Sequence, residues 1–259
     1  MTEREAAALL GGLEDVLILT HRRPDGDTIG CAVALCLALR KLGKAAYVLP
    51  NEDAHHLFDP YFEGVLAPAG FVPKQVVSVD TASLGMLPKS AKPYQGKIIL
   101  ALDHHGSNEG YAQNNCVDPS CAACGELLFR IFGLLNVSIT PEIALPLYMA
   151  IATDTGCFVY SNTTPQTHRI AAALMESGCD TQWVNKRHFR IKSRTRILVE
   201  SRLVEEMDLE EEGTLAFAYV TQALVQDLKA TEEDLDDISS FIGLLSGVVN
   251  AVTLKELPK

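Results

Sequence analysis

Short apolar runs that alternate with helical apolar patterns are the strongest constraint on the fold of this chain. Two strands that are joined through a helix are expected to pair in parallel, because parallel pairing requires a long crossover connection between the strands. The sequence therefore predicts an α/β fold with a mostly parallel sheet and helices on both faces. The predicted strands cover residues 16–20, 44–49, 76–79 and 97–102, and the predicted helices cover 28–42, 121–135, 141–153 and 165–177.

The pattern changes near residue 180. A charged, helix-prone stretch runs to Met207, and an acidic turn follows. Two further strands and a helix that begins at Thr231 are predicted beyond it. We interpret this order as three parts, with a domain at 1–185, a connecting helix at 186–207 and a small partial α/β domain at 208–259.

Composition limits the location and the partners of the protein. The N-terminus lacks a basic stretch followed by an apolar run, and no apolar stretch approaches the roughly 20 residues that span a bilayer. Seven cysteines without framework spacing suit a reducing compartment. We therefore expect a cytoplasmic protein with no membrane partner.

The net charge of −11 argues against a surface that binds long duplex nucleic acid by charge alone. The net charge does not exclude a small anionic substrate, because bound cations reverse the sign of the local charge.

The loop after the first predicted strand contains His21, Asp25 and Asp27. Two carboxylates this close repel each other unless a cation lies between them. A structural alternative stays open, in which Asp27 caps the following helix and Asp25 forms the turn.

Further Asp and His residues stand where predicted strands or helices end. Asp80 follows one strand, Asp103-His104-His105 follows the next, and Asp154 ends a helix. A lone Asp80 is also typical of a turn, but the dipole at a helix end disfavours a carboxylate unless a cation compensates. Because the carboxyl ends of parallel strands share one edge, we expect these groups to meet there. Carboxylates mixed with imidazoles suit two divalent ions, above all Mn²⁺, with Mg²⁺, Co²⁺ or Fe²⁺ as alternatives.

Four motifs, in this order, resemble those of the DHH phosphoesterase superfamily: His-x-x-Pro-Asp-x-Asp from His21, the strand-end Asp80, Asp-His-His from Asp103 and Asp-Thr-Gly from Asp154. The resemblance covers residues 15–160. In one departure, Cys31 stands where the superfamily commonly has Ser.

The resemblance implies a role for each motif residue. Asp103 orients a neighbouring histidine, and His105 faces the substrate phosphate. A water that bridges two metal ions is activated as the nucleophile. The implied ligands are His21 and Asp25 for one ion, Asp27, His104 and Asp154 for the other, and Asp80 as the bridge between them.

The same resemblance divides the chain by function. It makes 1–185 a DHH metal-binding catalytic domain. Residues 214–259 resemble only the opening part of the superfamily's C-terminal DHHA1 domain, whose closing Gly-Gly-Gly-His motif does not occur here. We therefore expect 208–259 to be a partial substrate-binding domain.

A basic run begins at Lys186, and its later part from Phe189 to Arg196 resembles the oligoribonuclease and pAp-phosphatase-like subgroup, where pAp is 3′-phosphoadenosine 5′-phosphate. Arg190 and Arg194 are the candidate substrate contacts. The alternative interpretation is that these arginines form a solvated helix face.

The function implied by the resemblance is metal-dependent hydrolysis of short oligonucleotides or of pAp. A cyclic-dinucleotide phosphodiesterase, a pyrophosphatase and a polyphosphatase of the same superfamily are alternatives. A non-catalytic nucleotide-binding module is an alternative from a different class. The expected partner is a short oligonucleotide or a small phosphorylated nucleotide, and the oligomeric state stays open, with a homodimer as one option.

Overall fold

Five parallel strands form the larger sheet in the computed structural model, which describes residues 1–235 and 238–257. The prediction of a mostly parallel α/β sheet is confirmed. Asn114–Val117 was not predicted as a strand, because its polar sequence lacks an apolar run. The strands are β1 (Val16–Leu19), β2 (Ala46–Val48), β3 (Gln75–Val79), β4 (Ile98–Asp103) and β5 (Asn114–Val117), in the sheet order β2-β1-β3-β4-β5.

The strand order brings three site segments together. β3 lies between β1 and β4, and its register pairs Ser78 with Leu19 and Val79 with Leu102. The carboxyl ends of these neighbouring strands therefore lie side by side. The loops that follow these strands all start at the same edge of the sheet, which is the edge where ligands bind in open α/β folds.

Helices cover both faces of the sheet, and the two faces differ. Side chains alternate along a strand, so Ile18 enters a core formed with the α-helices, and Leu19 enters a second core beneath the 3₁₀ helices Leu84–Met86 and Lys89–Lys97. The α-helices of this part are α1 (Glu3–Gly12), α2 (Gly26–Lys41), α3 (Cys124–Leu134), α4 (Pro141–Asp154), α5 (Pro165–Glu176) and α6 (Thr181–Phe189), and the 3₁₀ helices are His56–Tyr61, Leu84–Met86 and Lys89–Lys97.

Two glycines allow α2 to approach α4 closely. A Cβ on Gly26 would lie 2.3 Å from Oγ1 of Thr153, and a Cβ on Gly30 would lie 2.3 Å from the carbonyl oxygen of Pro146. Real side-chain carbons do not come this near, so only glycine fits at either position. The close packing brings the first turn of α2 beside the C-terminal turn of α4, which ends at Asp154.

The second part of the chain has its own sheet and core. β7 (Leu215–Val220) lies in the middle of this sheet, antiparallel to β6 (Asp208–Glu210) and parallel to β8 (Asn250–Lys255). Val199 and Leu203 of the first helix pack with Ala216 and Ala218 of β7. The elements are α7 (Arg194–Glu206), β6 (Asp208–Glu210), β7 (Leu215–Val220), α8 (Gln222–Leu228), α9 (Ile238–Phe241) and β8 (Asn250–Lys255), with 3₁₀ helices at Glu211–Gly213, Glu233–Leu235 and Ile242–Leu244.

The structure differs from the predicted connecting helix at 186–207. α6 ends at Phe189, and α7 begins at Arg194 after Ser193, whose hydroxyl accepts a hydrogen bond from the amide of Arg196 (2.8 Å). A capping serine favours a new helix start over a continuous helix. The chain divides at this interruption into two compact units, Met1–Phe189 and Arg190–Lys259.

Local differences also occur in the second unit. The stretch predicted as an acidic turn begins with β6, and the stretch predicted as a helix from Thr231 has a 3₁₀ turn at Glu233–Leu235 and the short helix α9 at Ile238–Phe241. Residues 236–237 and 258–259 of the predicted 208–259 domain lie outside the described residues. Within the described ranges, every helix is too short or too polar to cross a membrane.

Candidate metal centre

The loop after β1 forms the first of two groups of candidate ligands. Nε2 of His21 lies 3.6 Å from Oδ1 of Asp25 and 3.7 Å from Oδ2 of Asp80. Asp25 is also the N-cap of α2, since its Oδ1 accepts hydrogen bonds from the amides of Asp27 and Thr28 (both 3.1 Å). The capping role that the structural alternative gave to Asp27 therefore belongs to Asp25, which has a second oxygen left for other contacts.

The second group surrounds His104, which follows β4. Its Nε2 lies 3.6 Å from Oδ2 of Asp27, 3.4 Å from Oδ2 of Asp154 and 3.5 Å from Oδ1 of Asp80. The ligand atoms of Asp27, His104 and Asp154 all lie within 4.8 Å of one another, as do those of His21, Asp25 and Asp80. The structure thus brings together the six residues predicted as ligands, and a further group joins Asp80 and His104 to His105, whose Nδ1 lies 3.5 Å from Oδ1 of Asp80.

Asp80 lies between the two groups. One of its carboxylate oxygens faces His21 and the other faces His104. The side chain is buried, and its Oδ1 accepts no hydrogen bond from any residue that the structure describes. Burial raises the pKa of Asp80 well above its usual range, and the negative charge of Asp27 raises it further.

The imidazole rings of His21 and His104 are both oriented by backbone carbonyl groups. Nδ1 of His21 donates to the carbonyl oxygen of Arg22 (2.8 Å), and Nδ1 of His104 donates to that of Cys121 (3.2 Å). A carbonyl oxygen only accepts, so the proton of each ring lies on Nδ1. The Nε2 lone pairs are then free to bind a metal ion, an arrangement that metal-binding histidines usually share.

The carboxylate of Asp27 is held by residues that lie far from it in the sequence. Its carboxylate accepts hydrogen bonds from the backbone amides of Cys124 (2.6 Å) and Gly125 (3.0 Å) at the start of α3, 97 and 98 residues away. The thiol of Cys31 donates to the same carboxylate at 3.2 Å. The first amides of a helix have no acceptor within the helix. The predicted helix start near these residues was therefore the sequence signal that amides there need an acceptor such as a carboxylate.

Asp103 hydrogen-bonds both histidines that follow it, and its Oδ1 accepts from the backbone amide of His104 (2.8 Å). Its Oδ1 accepts from Nδ1 of His105 (2.7 Å), and its Oδ2 accepts from Nδ2 of Asn108 (2.6 Å). Although burial raises the pKa of Asp103, these hydrogen bonds outweigh it and lower the pKa below its usual value. The bond to Asp103 raises the pKa of His105. Asn108 was not singled out from the sequence, although it stands in the same short segment.

The donor set fits divalent cations. The contacts of 3.4–3.7 Å between imidazole nitrogens and carboxylate oxygens are longer than good hydrogen bonds. Ligand atoms about 2.1 Å from one ion lie about 3.0–3.4 Å apart, near these values. Four carboxylates gather here, and burial also raises the pKa of Asp27 well above its usual range, with the charges of Asp154 and Asp25 adding to it. A bound cation would relieve this repulsion.

The two predicted substrate contacts belong to the other unit. Arg190 opens the second unit and Arg194 begins α7, and both side chains are exposed.

Comparison with known proteins agrees with the fold. The model of the DHH family, N-terminal domain, matches residues 15–151. The chain therefore belongs to the DHH family.

Individual relatives cover more of the chain. It is 34% identical to the bifunctional oligoribonuclease and PAP phosphatase NrnA of Thermus thermophilus, over 98% of this chain and 76% of that protein. It is 25% identical to a probable manganese-dependent inorganic pyrophosphatase of Enterococcus faecalis, over 63% of this chain and 56% of that protein. The crystal structure of an exopolyphosphatase-related protein from Bacteroides fragilis has the same fold, with a TM-score of 0.86 at 18% identity over 95% of this chain and 77% of that one.

Proposed function

We propose that this chain hydrolyses phosphoester bonds with two divalent metal ions, Mn²⁺ above all, and that its substrates are short oligonucleotides and pAp. The observation that carries the proposal is the position of Asp80, whose two oxygens face two separate ligand groups. The oligoribonuclease and PAP phosphatase activities of the Thermus thermophilus relative support the substrates, and the manganese dependence of the Enterococcus faecalis relative supports the metal.

Each group of residues has a separate task in this proposal. His21 and Asp25 would hold one ion, and Asp27, His104 and Asp154 the other, with Asp80 between them. Bound ions of this kind polarise a phosphoryl oxygen and lower the pKa of water.

His105 would contact the substrate phosphate through Nε2, because its Nδ1 proton is held by Asp103. Asn108 holds the other oxygen of Asp103 and so keeps the pair in place. The task of Asp103 is to position His105 and not to touch the substrate.

A substrate panel tests the proposal. The protein is stripped with EDTA, reloaded with Mn²⁺ and given pAp, a dinucleotide, a longer RNA, a cyclic dinucleotide and pyrophosphate. We expect turnover of pAp and of the dinucleotide, with Asp80→Asn inactive on both. Faster turnover of pyrophosphate or of the cyclic dinucleotide would overturn the substrate assignment. Nucleotide binding without any turnover would instead support a binding module.

We also propose that the second unit binds substrate, with the predicted domain at 208–259 as its main part and Arg190 and Arg194 as its phosphate contacts. Arg194→Ala should raise KM for pAp about tenfold with little change in kcat, since a charged hydrogen bond that forms equally in both states contributes uniform binding. Arg202→Ala, on the same helix α7, is the control, because Arg202 pairs with Glu206 on the surface. An unchanged KM in Arg194→Ala would return the basic run to a solvated face.

A further inference from the structure

The turn at residues 155–162 begins directly after the candidate ligand Asp154. None of the proposed ligands lies in it, and the sequence shows no motif there beyond Thr155-Gly156. Its amides are satisfied locally, with the amide of Cys157 donating to the carbonyl of Ala152 (2.7 Å) and the amide of Phe158 to Oγ1 of Thr155 (3.1 Å). The turn is therefore an ordered structure with its own hydrogen bonds.

Three consecutive residues of this turn have left-handed backbone conformations. Their φ angles are +54° at Gly156, +57° at Cys157 and +68° at Phe158. Glycine adopts this region freely, but a bulky residue such as phenylalanine does so at a cost. Strain of this kind persists where the surrounding structure over-determines it, and it concentrates at functional sites. The strain in this turn, which begins directly after Asp154, therefore marks the turn as a candidate functional element.

The turn directs one aromatic ring inward and another outward. Phe158 is half-buried and stacks on His168 with ring centroids 5.3 Å apart. Val159 and Tyr160 point to solvent, with 79% and 53% of their surface exposed. The turn thus presents an apolar side chain and an aromatic ring to solvent, within six residues of the candidate ligand Asp154.

One side of the Tyr160 ring packs against the backbone of the turn. A Cβ built on Gly156 would meet three ring atoms of Tyr160 at 2.5–2.7 Å, so the hydroxyl end of the ring rests against the glycine backbone. The lack of a side chain at Gly156 is what makes room for the ring. The contact limits the freedom of the ring while more than half of its surface stays available.

The turn is also attached to the second ligand group. Nδ2 of Asn162 donates to the carbonyl oxygen of Asp154 (3.0 Å) and to that of Ala122 (3.1 Å). Ala122 follows Cys121, whose carbonyl oxygen accepts the Nδ1 proton of His104. The same turn therefore contacts the segments that orient two of the candidate ligands.

We propose that the exposed ring of Tyr160 stacks on the nucleobase of the substrate whose phosphate is bound at the metal centre. The proposal rests on the proposed function. A nucleobase is the occupant that fits, because it is a flat π-system joined by one ribose to the phosphate that the centre would bind. Stacking on an aromatic ring is tolerant of base identity. Tyr160 would therefore favour nucleotides over base-free phosphates and would discriminate weakly among the four bases.

Paired substrates test this role. The Mn²⁺-loaded protein is given pAp and a base-free analogue in which hydrogen replaces the adenine. Loss of one stacked base typically weakens binding about 5- to 150-fold. We expect Tyr160→Ala to raise KM for pAp within this range, to leave kcat within a few-fold, and to leave KM for the base-free analogue unchanged. Tyr160→Phe, which keeps the ring, should behave like the wild type.

Met175→Ala is the matched control. Met175 has the same exposed fraction as Tyr160, 53%, and lies near the C-terminus of α5. Gly178 just beyond that terminus lies beside Pro141, at the opposite end of α4 from Asp154. This variant should change neither KM. A fluorescent 2-aminopurine analogue of pAp gives an independent readout, since stacking on Tyr160 should quench it in the wild type and in Tyr160→Phe but not in Tyr160→Ala.

The two proposals fail in different ways. If the wild type hydrolyses neither substrate, the proposed function fails, and quenching of the 2-aminopurine probe then decides whether Tyr160 stacks on a base. If the wild type hydrolyses pAp and the base-free analogue with equal KM, or if Tyr160→Ala changes both equally, the stacking role is wrong and the phosphoesterase assignment stands.

Discussion

Asp80 combines an unusual backbone conformation with an unusual environment. Its φ of +49° lies in the left-handed region, and its amide donates to the carbonyl oxygen of Leu102 in the neighbouring strand β4 (2.8 Å). That hydrogen bond holds a conformation that costs about 1–3 kcal/mol for a residue other than glycine. The strand ends there, and the carboxylate stands between His21 and His104. Backbone strain thus coincides with a buried oxygen that has no hydrogen bond from any described residue, at the position proposed to bridge two ions.

Replacing Asp80 by Asn tests the bridge. The amide has nearly the same shape as the carboxylate but no charge, so we expect the bound Mn²⁺ to fall from two ions per chain to none. Metal content after gel filtration measures the loss. Asp118→Asn is the control, since Asp118 pairs with Arg130 outside the centre. Retention of both ions in Asp80→Asn would contradict the bridging role.

At the scale of elements, the contact between α2 and α4 decides whether the ligand groups form. Asp25 and Asp27 lie at the start of α2, and Asp154 lies at the end of α4. Gly30 faces the carbonyl oxygen of Pro146 in the same contact. A wider separation of these helices would move Asp27 away from Asp154 even if every ligand were retained.

Gly30→Ala should therefore destabilise the protein and weaken its metal affinity together. The added methyl group would overlap the Pro146 carbonyl, and overpacking of this kind costs about 1–3 kcal/mol. Urea unfolding and Mn²⁺ titration measure the two effects. Gly133→Ala in α3 is the matched control, because nothing lies within 4 Å of its added Cβ. That variant should stabilise by about 0.5–1 kcal/mol through helix propensity. Equal behaviour of the two variants would contradict the packing argument.

The attachment of α6 should depend on pH through His188. Burial beside Phe58 and Tyr61 lowers the pKa of His188 to about 4, with the charge of Arg187 adding to the effect. In the unfolded chain the pKa is about 6.5. Between these values the unfolded state binds a proton that the folded state does not. Stability is therefore fully present above about pH 6.5 and is lost progressively as the pH falls toward 4.

His188→Gln should remove this part of the pH dependence. From pH 7 to pH 4 the wild type should lose about 2–3 kcal/mol more unfolding free energy than the variant. Urea unfolding at several pH values gives the difference between the two proteins, in which the titrations that they share cancel. Parallel curves would show that His188 is protonated in the folded state.

At the scale of the whole molecule, the two units differ in the negative charge that they gather, and each is stabilised by its own apolar residues. The net charge is −11, and four carboxylates gather in the first unit at the metal centre. The second unit has a separate apolar core. Cation binding should therefore stabilise one unit more than the other.

We expect Mn²⁺ to raise the Tm of the first unit alone. Binding at 100 times Kd contributes about 2.7 kcal/mol for one site. Calorimetry of EDTA-treated protein, with and without Mn²⁺, should show one transition that moves and another that stays. In Asp80→Asn the shift should disappear. An equal shift of both transitions would show that the units unfold together.

Part of this structure could be predicted from local sequence. Apolar runs predicted four of the larger sheet's strands, because a buried parallel strand needs consecutive apolar residues. Strand β5 was missed, since its Asn114 and Asn115 side chains hydrogen-bond to backbone instead of packing in a core. The interruption between α6 and α7 was also missed, because Ser193 acts as a cap only when the chain turns there.

The sequence by itself determined the chemistry of the centre, namely which Asp and His residues stand at strand and helix ends. The resemblance implied how they are grouped, but the contacts that bring them together exist only in the tertiary structure. The order β1-β3-β4 places Asp80 between His21 and His104, and α3 brings the Cys124 amide to Asp27 from 97 residues away. The exposure of the Tyr160 ring, in the turn that follows Asp154, is likewise a property of the folded chain. Sequence spacing reports contacts within a few residues, whereas strand order and helix packing create contacts between distant ones.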